Sequence, residues 1–105
     1  MNNNDYMYLS TSKMIFNALK NRVNGVVRTE FNTESDVLIV DIQFKDFKFR
    51  KLISKFGDYV YGGGIDELVT ILIGTYRNQL LHAFFKDERA ENTSDNEVDD
   101  FISYV

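Results

Sequence analysis

The chain contains no cysteine, no proline and no tryptophan, and it has a single histidine. Without cysteine it cannot form disulfides, use a thiol as a nucleophile or hold a metal through thiolates. The absence of cysteine also fits a reducing compartment, so we expect a cytoplasmic protein. No apolar run approaches the roughly 18 residues of a membrane span, and the polar start MNNND lacks the pattern of a signal peptide.

The single histidine and the carboxylates do not form a catalytic pattern. His82 is predicted on the polar side of a helix, one turn from Asn78 and Lys86, and neither of these could orient it for acid–base catalysis. Acidic residues near the carboxyl end superficially resemble calcium ligands, but the glycine and the glutamate that a calcium loop requires are missing. We therefore predict a non-enzymatic protein with no cofactor and no metal.

Charge is distributed unevenly along the 105 residues, whose net charge is −4. Residues 1–86 hold 11 basic and 9 acidic side chains, whereas residues 87–105 hold one basic and seven acidic side chains. We interpret residues 1–86 as one α+β domain and residues 87–105 as an acidic, partly disordered tail. A tail of this kind either meets a basic partner surface or aids solubility alone.

The segment Ile65–Lys86 has the strongest periodicity in the chain. Apolar residues recur at intervals of three and four, the period of an α-helix; they are Ile65, Leu68, Val69, Leu72, Tyr76, Leu80, Ala83 and Phe84. Asp66 and Glu67 lie in the first turn, where carboxylates stabilise the helix dipole. The three glycines at 62–64 precede this helix without a phosphate-binding signature after them, so we interpret them as a break.

Another helix is predicted near the amino terminus. Ser10 is a favourable N-cap for a helix over Thr11–Arg22, and Leu9 and Met14 have the spacing of a hydrophobic staple. Asn24-Gly25 ends it, because glycine tolerates a left-handed backbone. The predicted buried stripe of this helix is Met14, Ile15, Ala18 and Leu19.

Alternating apolar residues predict strands over Val26–Phe31, Val37–Phe44 and Phe47–Ile53. The second is apolar on both faces at its start, which indicates a central strand. We predict a short helix over 54–61 capped by Ser54, although the spacing of apolar residues over 49–60 also fits one helix. The result is an α-β-β-β-(α)-α order: a three-stranded antiparallel meander with the N-terminal helix and the long helix on one face.

Two resemblances arise from these segments. VLIVDIQF, FKFRKLISKFGDYVYGG and a long helix that ends LLHAFFK resemble small uncharacterised proteins of phages and prophages of Gram-positive bacteria, over residues 37–86. This resemblance implies a small accessory protein in the host cell cytoplasm and brings no catalytic residues. The order of elements also resembles a double-stranded-RNA-binding domain, but Asp66 and Glu67 stand where such domains place a basic cluster.

The back of the long helix, opposite its core stripe, is the first candidate for function. It carries the apolar residues Ile71, Leu81 and Phe85 beside Gly74, where another backbone could approach closely. We predict that this face binds a host or phage protein or a second copy of the chain, or that the apolar end of the tail covers it. The tail residues predicted to take part are Asp95, Glu97, Asp99, Asp100 and Phe101.

A basic strip is the alternative. It consists of Lys45, Lys48, Arg50, Lys51 and Lys55, which alternate with phenylalanines. Basic residues beside aromatic rings favour nucleic-acid binding, although the alternation places those rings in the core. The sequence thus favours a protein-binding module that modulates or inhibits a host protein such as a defence nuclease, with a nucleic-acid-binding accessory protein as the alternative.

Overall fold

A computed structural model of the protein describes residues 3–89, in which six elements follow one another. They are α1 (Asn3–Lys20), β1 (Val26–Asn32), β2 (Val37–Phe44), β3 (Phe47–Ser54), α2 (Phe56–Gly62) and α3 (Ile65–Arg89). The strands form one antiparallel meander in the order β1-β2-β3, and β2 is central as predicted. Helix α1 packs on β1 and α3 packs on β3, so the predicted α+β class is confirmed.

The alternation of strand side chains gives the sheet a helix-covered face and an open face. On the covered face, Ile42 of β2 pairs with Val27 of β1 and Phe49 of β3, and all three are buried. On the open face, Asp41 lies between Arg28 and Arg50. Arg50 donates from Nε and Nη2 to the two carboxylate oxygens of Asp41, at 2.7 and 3.1 Å.

Helix α1 begins at Asn3, so the prediction that Ser10 caps it is wrong. The residues before Thr11 form two further helical turns, which place Tyr8 in the core. The burial of Tyr8 stabilises these turns more than a cap at Ser10 would stabilise a shorter helix. The buried stripe also differs from the predicted one: Met14 is 56% exposed, whereas Ile15 and Leu19 are buried as predicted. The helix ends at Lys20, two residues before the predicted end.

The segment after β2 forms a strand and then a short helix, which excludes the alternative of one continuous helix. Ser54 is the last residue of β3, so the prediction that it caps α2 is wrong. Lys55 occupies the cap position with a left-handed backbone (φ 55°) and without a side-chain hydrogen bond. Gly62 is still part of α2, so the predicted break is confined to Gly63 and Gly64, which both have φ of 86°, a value that other residues rarely adopt.

Asp36, at the end of the β1–β2 turn, joins α1 and α2 to the sheet. Its Oδ1 accepts hydrogen bonds from the Tyr8 hydroxyl at 2.5 Å and from the backbone N–H of Gly57 at 2.6 Å. Its backbone carbonyl accepts from the N–H of Phe56 at 3.0 Å. A Cβ at Gly57 would lie 2.6 Å from the Tyr8 oxygen, so only glycine allows this approach. Asp36 therefore supplies the cap that the residues next to α2 do not.

This arrangement predicts a pH dependence of stability at alkaline pH. The hydrogen bond to Asp36, then burial, raises the pKa of Tyr8 from 10 to about 12. Because the folded pKa lies above the unfolded one, the contribution is complete below pH 10 and is lost as pH rises through about 12. The free energy of unfolding of the wild type, measured relative to Tyr8→Phe at each pH, should therefore fall across this range. A constant difference would contradict the prediction.

A candidate protein-interaction surface on the long helix

The first half of α3 is fixed firmly on the domain. Its core side chains, all buried, are Leu68, Val69, Leu72, Ile73 and Tyr76. The Tyr76 hydroxyl donates to the carbonyl of Asn24 at 2.6 Å, and Nη2 of Arg77 donates to the carbonyl of Arg22 at 3.2 Å. Burial also raises the pKa of Tyr76. These contacts hold α3 to the loop between α1 and β1, so the orientation of its outer face is set by the core.

The second half of α3 extends past the core, so part of the predicted stripe is wrong. Leu80 is partly buried, but Ala83 and Phe84 are exposed. The reason is length: 25 helical residues span about 37 Å at about 1.5 Å per residue. A strand of eight residues covers only about 27 Å. The sheet ends before the helix does.

One contact nevertheless supports this extending half. The ring of Phe84 lies edge-to-face on Phe44, with centroids 6.0 Å apart. Nζ of Lys45, in the β2–β3 turn, lies 5.4 Å from the centroid of Phe44 and 5.9 Å from that of Phe84. A cation near two aromatic faces is attracted to both. The hairpin tip therefore positions the end of α3.

The back of α3 carries large apolar side chains that contact little of their own chain. Ile71, Leu81 and Phe85 are 50%, 55% and 46% exposed. Gly74 lies between them, and a Cβ placed on it would meet no atom within 4 Å. The predicted partner-binding residues of the helix therefore share one exposed face in the structure. We call Ile71, Gly74, Asn78, Leu81 and Phe85 the outer seam of α3.

Gly74 should be dispensable for the fold of the isolated chain. Glycine in a helix interior costs about 0.5–1 kcal/mol relative to alanine, and the space around Gly74 is open. We therefore expect Gly74→Ala to raise the free energy of unfolding by about 0.5–1 kcal/mol, measured by denaturant titration of dilute protein. The matched control is Gly57→Ala, which should destabilise the fold because its Cβ collides with Tyr8. A loss of stability in Gly74→Ala would contradict the open environment.

The residues of the basic strip lie in several environments. Lys48 and Arg50 share the open face of the sheet, where Arg50 is paired with Asp41. Lys51 is on the covered face and only 7% exposed, and burial lowers its pKa. Lys45 lies near the rings of Phe44 and Phe84, and Lys55 precedes α2. Lys45, Lys48 and Arg50 line one concavity, whereas Lys51 and Lys55 lie elsewhere, so the five residues do not form one continuous surface.

The remaining sites predicted from the sequence are not supported by a structural arrangement within the described residues. Asp95, Glu97, Asp99, Asp100 and Phe101 lie outside the described residues, as does the predicted cover of the seam by the tail. His82 is partly buried on α3. Across residues 3–89, no three His, Asp or Glu side chains converge as metal ligands would. Within the same residues, no helix is both long and apolar enough to cross a membrane.

Sequence reasoning missed two features of this region. It assigned Phe84 to the core, although comparison of helix length with strand length would have indicated that the helix outruns the sheet. It also treated Asn78 as part of a general polar side, although its spacing from Gly74 and Leu81 places it in the seam.

Comparison of the chain with models of protein families, with curated proteins and with solved structures finds no match. A function for this chain is therefore inferred from its own geometry and sequence.

Proposed function

We propose that this protein is a non-enzymatic protein-binding module that presents the outer seam of α3 to a protein partner. The observation that carries the proposal is the row of Ile71, Leu81 and Phe85, each about half exposed, on a helix whose other face is already in the core. Exposed apolar residues scattered singly need no explanation, but aligned ones on a rigid element are typical of a binding surface.

The outer seam is also suited to protein binding because α3 is held rigidly on the domain. Tyr76 and Arg77 hold the helix at its centre, and the contact of Phe84 with Phe44 supports its end. A partner would meet a helix that is already formed, so binding would not incur the cost of ordering it. Apolar anchors at helical spacing are one of the recurrent modes of protein recognition.

The finer assignment is a phage-encoded modulator or inhibitor of a host protein such as a defence nuclease, with the acidic tail against a basic partner surface. It rests on the resemblance of residues 37–86 and on the charge of residues 87–105. The alternative, a nucleic-acid-binding accessory protein, is weakened by the placement of the basic strip. A backbone-tracking groove needs aligned positive charge, whereas Lys51 is buried and Arg50 is paired.

The test is capture of partners from a lysate of a Gram-positive bacterium, before and after nuclease treatment. The bait is the full chain, beside a variant with Leu81→Glu and Phe85→Glu. The matched control replaces Met14 and Leu52 with Glu, because these residues are as exposed but lie on other surfaces. We expect a protein partner that survives nuclease, is lost with the first variant and is kept with the control.

Two results would overturn the proposal. One is capture that is equal for the wild type and the Leu81/Phe85 variant, which would remove the seam from the function. The other is recovery of nucleic acid alone, abolished when Lys48 and Lys55 are both replaced by Gln, which would establish the alternative.

A further inference from the structure

The outer seam of α3 has the spacing of a self-pairing helix. Ile71, Gly74, Asn78, Leu81 and Phe85 follow one another at intervals of three and four, which are the a and d positions of two successive heptads. Ile71 and Asn78 occupy a positions and Leu81 a d position. In parallel helix pairs, a β-branched residue at a with leucine at d favours a dimer, and one asparagine at a fixes the register.

We propose that the seam binds a second copy of this chain, as a parallel and in-register helix pair. This inference rests on the proposed function, because it names the protein partner of the same surface. The two α3 helices approach most closely at Gly74, where each chain leaves its backbone open. Leu81 and Phe85 continue the contact toward the carboxyl end of the pair.

The low charge of the seam favours a second copy of this chain over a strongly acidic or basic protein. Between Leu68 and Phe85 the only Asp, Glu, Lys or Arg side chain is that of Arg77, which donates to the carbonyl of Arg22 in its own chain. Along the seam, two copies therefore meet with little like-charge repulsion, and a charged partner surface would find few opposite charges on the seam itself. The asparagine amide supplies both a donor and an acceptor, so Asn78 can pair with itself.

The small area that the seam offers indicates a weak pair. The seam spans 15 residues, about 22 Å of helix, and would bury on the order of 1,000 Å² over both copies. Stable specific interfaces begin at roughly 1,200 Å². We therefore expect a reversible dimer that dissociates in the micromolar range. Because each helix is already held by its own core, no folding cost weakens the pair.

Sedimentation of the purified full chain, from micromolar to millimolar concentration, is the first measurement. We expect a reversible monomer–dimer equilibrium, whose dissociation constant rises at least about tenfold in Leu81→Asp. The control Leu52→Asp, on the open face of the sheet, should leave the equilibrium unchanged. Circular dichroism establishes that each variant is folded.

Register is tested by crosslinking, which is simple in a chain without cysteine. Asn78→Cys should form a disulfide-linked dimer on mild oxidation, because this position faces itself in a parallel pair. Asn17→Cys, at another exposed asparagine, on α1, is the matched control and should remain monomeric.

The inference is overturned by a wild type that is monomeric at all concentrations. It is equally overturned by a dimer indifferent to Leu81→Asp, or by crosslinking no faster in Asn78→Cys than in Asn17→Cys. A monomeric chain that still captures a lysate protein through Leu81 and Phe85 would leave the proposed function standing. A chain that binds neither itself nor another protein through the seam would remove both.

Discussion

Leu72→Ala is expected to lower the free energy of unfolding by about 2–5 kcal/mol. Leu72 is fully buried in the first half of α3, within the core that the helices form with the sheet. Truncation removes apolar contacts and leaves a cavity, and the loss depends on how far the neighbours relax. Since a domain of this size is stabilised by only about 5–15 kcal/mol, one such change would remove a large share of its stability.

Denaturant titration measures this loss, and Leu52→Ala is its control. Leu52 has the same side chain but is 55% exposed on the open face of the sheet, so its truncation should cost less than about 1 kcal/mol. Equal losses for the two variants would contradict the burial of Leu72 in the core.

Asp36→Ala should cost about 2–4 kcal/mol, although Asp36 lies in a turn. The substitution deletes the acceptor for the Tyr8 hydroxyl and for the N–H of Gly57, and hydrogen bonds to a charged group are each worth about 1.5–3 kcal/mol. It also places alanine at φ 57°, a backbone region that aspartate tolerates better. Thermal or denaturant unfolding gives the magnitude.

Asp36→Asn separates the two contributions. Asparagine keeps an oxygen acceptor and tolerates the left-handed backbone, so its cost should be nearer about 1 kcal/mol. In the background of Tyr8→Phe, the effect of Asp36→Ala should shrink, because one of the two bonds is already absent. If Asp36→Ala costs the same stability with and without Tyr8→Phe, the hydrogen bond between Tyr8 and Asp36 does not contribute to that cost.

The regular elements were predictable because each repeats a simple period. The alternation in β2 and the spacing of three and four in α3 depend only on which residues face the core, and both elements formed as expected. The start of α1 was not predictable from its cap. Ser10 is a favourable cap in isolation. However, burying Tyr8 in the core and bonding it to Asp36 stabilises the fold more than an N-cap at Ser10 would.

The cap of α2 shows the same limit over a longer distance. The residue that caps it is Asp36, 21 positions before Gly57, and no local pattern connects the two. The exposed seam of α3 was predictable because helical angles follow directly from numbering. The burial of Lys51 also follows from strand alternation, because it lies on the same face as Phe49 and Ile53. Its positive charge nevertheless led to its assignment to the basic strip.

The meander also determines the order in which the chain can fold. Its hairpins close over turns of two and four residues, so the sheet forms from near neighbours with little loss of loop entropy. The Tyr76–Asn24 hydrogen bond, in contrast, joins residues 52 positions apart and requires the chain beyond the sheet to return. We expect a contact of such long range to form after the folding transition state, so that it mainly slows unfolding. The Tyr76–Asn24 hydrogen bond, which helps to orient α3, should therefore act chiefly on the lifetime of the folded protein.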